Sequence, residues 1–156
     1  MPEAKIIFRE SNGYTKTTTI DETGYYEMRV APGWSGTVVP FRIGYSFAPE
    51  NLIYQQLMND QPDQNFEASI IQYTISGKIQ NSDNNQGLSN ITLRYGLAGF
   101  VLSTNESGFF TIVVPFEWSG TITPENVGYN FTPQYLTIES VHSDVENQIF
   151  SAVSTH

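Results

Sequence analysis

The chain has 156 residues with 16 acidic against 7 basic side chains, a formal charge of −9, so it offers little to a phosphate backbone or an anionic lipid surface, both of which are held by cations. It has no cysteine, which excludes disulfides, thiolate zinc ligands and thiol catalysis, and no run reaches the roughly 18 apolar residues of a membrane span. Only 15% of the residues are charged and 13% are aromatic, with 12 Gly and 8 Pro; the polar surface must come from Ser, Thr, Asn and Gln, a composition of strands and tight turns.

Met1 to Phe8 has no apolar signal-peptide core, so the targeting segment of an exported protein would lie outside this chain. Strands are expected near 4–10 and 14–20. In the first, Ile6 and Phe8 point one way and Ile7 the other, and a strand apolar on both faces expects cover on both. The turn Asp21-Glu22-Thr23-Gly24 leads to a strand whose Tyr26, Met28 and Val30 form one apolar face, expected to pack inward. Further strands are expected near 35–40, 51–56 and 63–69. Between them, Gly44-Tyr45-x-Phe47-x-Pro49 reads as a bend between sheets, its aromatics plugging the core and its proline blocking edge pairing. Residues 72–80 form another strand, with Tyr73, Ile75 and Ile79 on one face.

From there the pattern starts again. Shifted by 84 residues, 4–68 lies on 88–152 without a gap. Trp34-Ser35-Gly36-Thr37 falls on Trp118-Ser119-Gly120-Thr121, Pro40 on Pro124, Gly44-Tyr45 on Gly128-Tyr129, and Phe47 and Pro49 on Phe131 and Pro133. Phe110, Ile112 and Val114 take the places of Tyr26, Met28 and Val30. Self-similarity at a fixed period marks repeated units, here 1–69 and 70–156. No capped helical stripe occurs, and regular short strands imply an all-β protein of two tandem Ig-like β-sandwiches.

These motifs resemble a family of repeats in secreted proteins of Bacteroidetes and Chlorobi relatives, similar to carboxypeptidase regulatory-like and Cna-B-type domains. The resemblance implies a prealbumin-like, seven-stranded Greek-key sandwich, used in extracellular tandem arrays as stalk, spacer or adhesive module. It implies no catalytic residues. Such a repeat opens with a strand of the kind seen at Tyr73–Ile79. The first unit has no counterpart, because Ala4 aligns with Leu88. That strand is expected either from sequence preceding these residues or from another chain, since a sandwich short of one strand exposes an unpaired edge that invites pairing. The assembly edge is therefore expected at Ile6, Phe8, Tyr73, Ile75 and Ile79, with neighbouring copies of the repeat or subunit as partners.

The remaining chemistry is sparse. His142 and His156 have no partners suggesting a triad or acid–base pair, so no enzyme and no cofactor is expected. Asp83-Asn84-Asn85 and the set Asp60, Asp63, Asp144 and Glu146 could offer oxygen ligands to a structural calcium, although neither has EF-hand spacing. Lys78 and Asn147 are the residue types of the isopeptide bond found in some Cna-B-type domains. The main rival function is carbohydrate binding in a secreted enzyme, through Tyr14, Tyr25, Phe100 or Phe109 stacked on a glycan; the paired Trp34 and Trp118 suit a repeated packing role better.

Overall fold

Short alternating stretches broken by Gly, Asn and Pro give the chain strands and turns rather than helices. The computed structural model describes residues 3–156, and every regular element among them is a β-strand. The chain divides into two compact units, Met1–Ile71 and Gln72–His156.

Unit 1 contains β1 (Lys5–Glu10), β2 (Thr15–Thr19), β3 (Trp34–Phe41), β4 (Tyr45–Ala48), β5 (Leu52–Leu57) and β6 (Glu67–Ile70). One antiparallel sheet has the order β2-β1-β3-β5, and β4 pairs with β6 in a second. Unit 2 contains β7 (Gln72–Asn81), β8 (Thr92–Tyr95), β9 (Phe100–Ser103), β10 (Phe109–Pro115), β11 (Gly120–Glu125), β12 (Tyr129–Thr132), β13 (Leu136–Ile138) and β14 (Val145–Ser154). Its two four-stranded sheets have the orders β10-β7-β14-β12 and β13-β11-β8-β9. All pairs in it are antiparallel except β7 with β14, which run parallel. Together they form a β-sandwich whose core joins Ile75, Ile79, Phe110, Ile112 and Phe150 of one sheet to Leu93 and Ile122 of the other.

Unit 2 has one strand more than the seven that the resemblance implies. The extra one is β12, inside the Gly-Tyr-x-Phe-x-Pro segment read as a bend; β4 is its counterpart in unit 1. Tyr129 pairs with Ser154 and Tyr45 with Ile70, so long-range pairing makes strands of both segments. Pro133 and Pro49 stand directly after these strands and end them, having no N–H to extend the ladder.

The strand expected after Gly24 does not form. Tyr26, Met28 and Val30 keep their alternation, half-buried between exposed neighbours, but the stretch is in no sheet. Its counterpart β10 pairs with β7 through Phe110↔Gly77, Ile112↔Ile75 and Val114↔Tyr73. Unit 1 has no strand in the place of β7 among the described residues, so nothing pairs with 25–31. The same vacancy shortens β6: β14 runs from Val145, whereas β6 begins only at Glu67, and 61–66 stays outside the sheets. Burial follows. Unit 2 buries eleven hydrophobic residues in its core, whereas among the described residues of unit 1 only the hydrophobic side chains of Ala4, Ile6 and Val38 are comparably covered. Since burial of apolar area is the main favourable term in folding, unit 1 is the weaker half.

An open groove as the candidate functional site

A groove of about 1000 Å³ runs through unit 1 where β7 sits in unit 2. One lip is 24–32, the other 57–66, and Ile6, Phe8, Val38 and Phe47 lie along the floor between them. The lips carry half-buried side chains whose counterparts are closed over: Phe66 is partly exposed where Phe150 is fully buried, and Met28 where Ile112 is.

Two hydroxyls hold the lips. The Tyr26 hydroxyl donates to the Gln64 carbonyl oxygen at 2.6 Å, and the Tyr54 hydroxyl donates to Gln64 Oε1 at 2.6 Å. Burial raises both phenol pKa values above their ordinary level, with the neighbouring Tyr54 adding to the effect on Tyr26.

The residues expected at an assembly edge are not themselves edges. β1 is paired on both sides, by β2 and β3, and β7 by β10 and β14, so Ile6, Phe8, Ile75 and Ile79 lie inside their sheets, and Tyr73 is paired with Val114 of β10. Ile6 and Phe8 contribute side chains to the groove instead. Ile75 and Ile79 are fully buried under unit 2's own core. The backbone that lies outside any sheet is that of 25–31 and 61–66.

The gapless alignment over β1 also needs correcting. Ile6 stands opposite Pro40 and Thr18, as Leu93 stands opposite Pro124 and Leu102. Ile6 therefore matches Leu93, not Asn90, and the β1–β2 hairpin is three residues longer than β8–β9. Ala4 matches Ile91 rather than Leu88: Ile20 N–H donates to the Ala4 carbonyl as Thr104 N–H does to that of Ile91. The two-sided apolar pattern of β1 resolves into inward Ile6 and Phe8 and outward Ile7 beside Val39.

The repeated motifs serve the fold. A Cβ on Gly36 would lie 2.7 Å from Trp34 Cη2, and one on Gly120 2.8 Å from Trp118 Cη2, so each glycine seats the indole two residues before it. Ser35 Oγ accepts Gln56 N–H at 2.9 Å, and Ser119 Oγ accepts Ser140 N–H at 2.9 Å. Trp34 packs with Phe8 and Tyr54, ring centroids 6.2 Å away in both pairs. Asp21 Oδ1 accepts the N–H groups of Thr23 and Tyr25, as Asn105 Oδ1 accepts those of Ser107 and Phe109. Hydrogen bonds from the Thr23 side chain and the Tyr25 backbone hold the Asp21 carboxyl below its ordinary pKa.

Other candidate residues are dispersed. Among the described residues no three His, Asp or Glu side chains gather as metal ligands. Asp83, Asn84 and Asn85 form a turn in which Asn81 and Asn84 oxygens accept backbone N–H groups. Asp144 Oδ1 accepts Thr74 N–H at 2.8 Å. Lys78 Nζ donates to the Asn85 carbonyl and lies over the Phe109 ring, away from the buried face of β7. His142 stacks on Phe116, with centroids 4.9 Å apart. Tyr14, Tyr25, Phe100 and Phe109 are exposed.

Fold and groove together define an all-β sandwich protein in which, among the described residues, no three His, Asp or Glu side chains gather as metal ligands. Among solved structures, the chain is similar to the Bacillus anthracis TIE protein, with a TM-score of 0.69 at 15% identity, covering 98% of this chain and 31% of that one. It thus spans less than a third of the TIE protein. It is also similar to the group B streptococcus pilus 2b backbone protein, with a TM-score of 0.47, 10% identity and coverage of 98% and 79%. The shaft pilin SpaA from Lactobacillus rhamnosus GG gives 0.42, 10%, 99% and 89%. At 15% identity the likeness to the TIE protein is one of fold. No family model and no curated protein matches the chain.

Proposed function

We propose that the chain is a non-enzymatic structural module of a bacterial surface protein or filament, made of two copies of one sandwich repeat. Its first copy is completed by a strand from a neighbouring subunit, so that subunits join head to tail. The groove of unit 1 carries this reading. Two stretches with the sequence of strand neighbours lie outside any sheet on either side of apolar floor, and an open edge invites a strand to pair with it. A strand entering there would satisfy both lips at once, as in β-strand addition generally. The contact is heterologous, so it propagates instead of closing. An acidic, Thr- and Asn-rich exterior suits a soluble array outside the cell.

The test is size against concentration, by sedimentation. The proposal expects linear oligomers that grow as concentration rises. A chain that stays monomeric with unit 1 folded contradicts strand donation. A glycan array distinguishes the carbohydrate-binding alternative, because a spacer or shaft module binds none of its sugars.

A further inference from the structure

The groove is already shaped for a particular kind of strand. In unit 2, β14 bulges between Val145 and Gln148, with Asn147 at φ 60° and Gln148 Nε2 donating to the Glu146 carbonyl at 2.9 Å. This bulge pushes the Gln148 carbonyl against β7 at Gly77. A Cβ there would run into that carbonyl oxygen and come within 2.8 Å of Phe110 Cζ. Only glycine fits between Gln148 and Phe110.

Unit 1 repeats this local geometry with no strand against it among the described residues. Asp63 has φ 58°, and Gln64 Nε2 donates to the Pro62 carbonyl at 2.8 Å. Tyr26 takes the place of Phe110, and its ring lies 6.2 Å from Phe66, the separation of Phe110 from Phe150. One hydroxyl separates the two arrangements. In unit 1 it donates to the Gln64 carbonyl, the group whose counterpart in unit 2, the Gln148 carbonyl, faces Gly77.

We propose that the groove accepts, from a further copy of the repeat, an extended segment with the chemistry of β7: apolar residues in the pattern of Tyr73, Ile75 and Ile79, and glycine at the position of Gly77. It runs antiparallel to 25–31 and parallel to 61–68. In the register of unit 2, the Ile75-like residue stands beside Met28, the Ile79-like residue beside Phe66, and the glycine between Tyr26 and Gln64. A lysine in the place of Lys78 would stand beside Tyr25, whose hydroxyl donates to Glu27 at 3.0 Å. The Tyr26–Gln64 hydrogen bond holds the empty lips together, and the glycine displaces it. This inference rests on the strand-donation reading and adds polarity, register and the glycine requirement.

The experiment uses the full chain and a fluorescent synthetic peptide of residues 72–81, with fluorescence anisotropy for affinity and amide exchange for location. The native peptide is expected to bind and to protect the amides of 26–30. The Gly77→Ala peptide should bind at least about tenfold more weakly, since overpacking of a tight site is strongly unfavourable. A Tyr26→Phe chain should bind the native peptide about threefold to tenfold tighter, having no hydrogen bond to give up. Equal affinity of the two peptides overturns the register, and an unchanged affinity in Tyr26→Phe overturns the latch. If neither peptide binds while the chain oligomerises on its own, the strand chemistry is wrong and donation stands. If the native peptide binds selectively to a chain that stays monomeric at all concentrations, the strand chemistry stands and donation between copies of this chain fails.

Discussion

Ile112 and Met28 occupy matching places, one against a strand and the other on the lip of the groove. Ile112 is 1% exposed and stands opposite Ile75 in β7; Met28 is half-buried and borders open space. Truncating Ile112 to alanine removes buried carbons and leaves a cavity, at a cost of about 3–4 kcal/mol. Met28→Ala loses only partial burial and opens no new enclosed cavity, so about 1 kcal/mol is expected. The units need not unfold together, so each requires its own probe. Each has one tryptophan: Trp118→Phe leaves Trp34 to report on unit 1, and Trp34→Phe leaves Trp118 to report on unit 2. Urea titrations followed by tryptophan fluorescence in these two backgrounds then give each cost separately. If Met28→Ala costs as much as Ile112→Ala, the segment 25–31 is packed like β10 and the groove is not open.

Three further outcomes follow from the same geometry. Gly120→Ala, which drives a methyl group into the Trp118 ring, should destabilise unit 2 by about 1–3 kcal/mol and shift the emission of Trp118; an unshifted spectrum contradicts the seat. Thr104 is buried, its hydroxyl accepting Ile91 N–H at 3.0 Å and donating to the Leu88 carbonyl at 2.6 Å. Thr104→Val strands both backbone groups and should cost about 2 kcal/mol in a melt of unit 2, and a neutral result would mean that water already serves them. Because the folded-state pKa of Asp21 is depressed, its charged form favours the folded turn. That contribution is complete above the ordinary value of 3.8 and is lost as pH falls through the lower folded value. In an NMR acid titration the Thr23 and Tyr25 amides should move with Asp21, while Ser107 and Phe109, held by Asn105, stay still; an Asp21 that titrates at its ordinary value contradicts the turn.

Much of the fold was legible because side-chain identity carries it. The Trp-Ser-Gly-Thr and Gly-Tyr-x-Phe-x-Pro segments repeat at one spacing, and the inward face of Phe110, Ile112 and Val114 is plain from alternation. The register of β1 was not legible: Ile6, Ile7 and Phe8 suit either face, and the identities that fix the alignment begin only at Glu22, which falls on Glu106. β4 and β12 were missed because four residues between Gly and Pro look like a turn until a distant strand pairs with them. The stretch 25–31 shows the converse case. Its alternation is that of a strand, but a strand also needs a partner, and periodicity within one segment cannot supply that information. The missing opening strand pointed to an unfilled place in unit 1. The preset bulge at Asp63 and the Tyr26–Gln64 bond could be seen only once the backbone was in place.

The central claim is that, among the described residues, unit 1 has no strand in the place that β7 takes in unit 2. Backbone amide exchange in the dilute monomeric chain tests it most directly, comparing Tyr26–Val30 with Phe110–Val114. The account predicts rapid exchange in the first stretch and strong protection in the second. Equal protection of the two stretches in the monomer would mean that the chain fills its own groove, and would contradict the account.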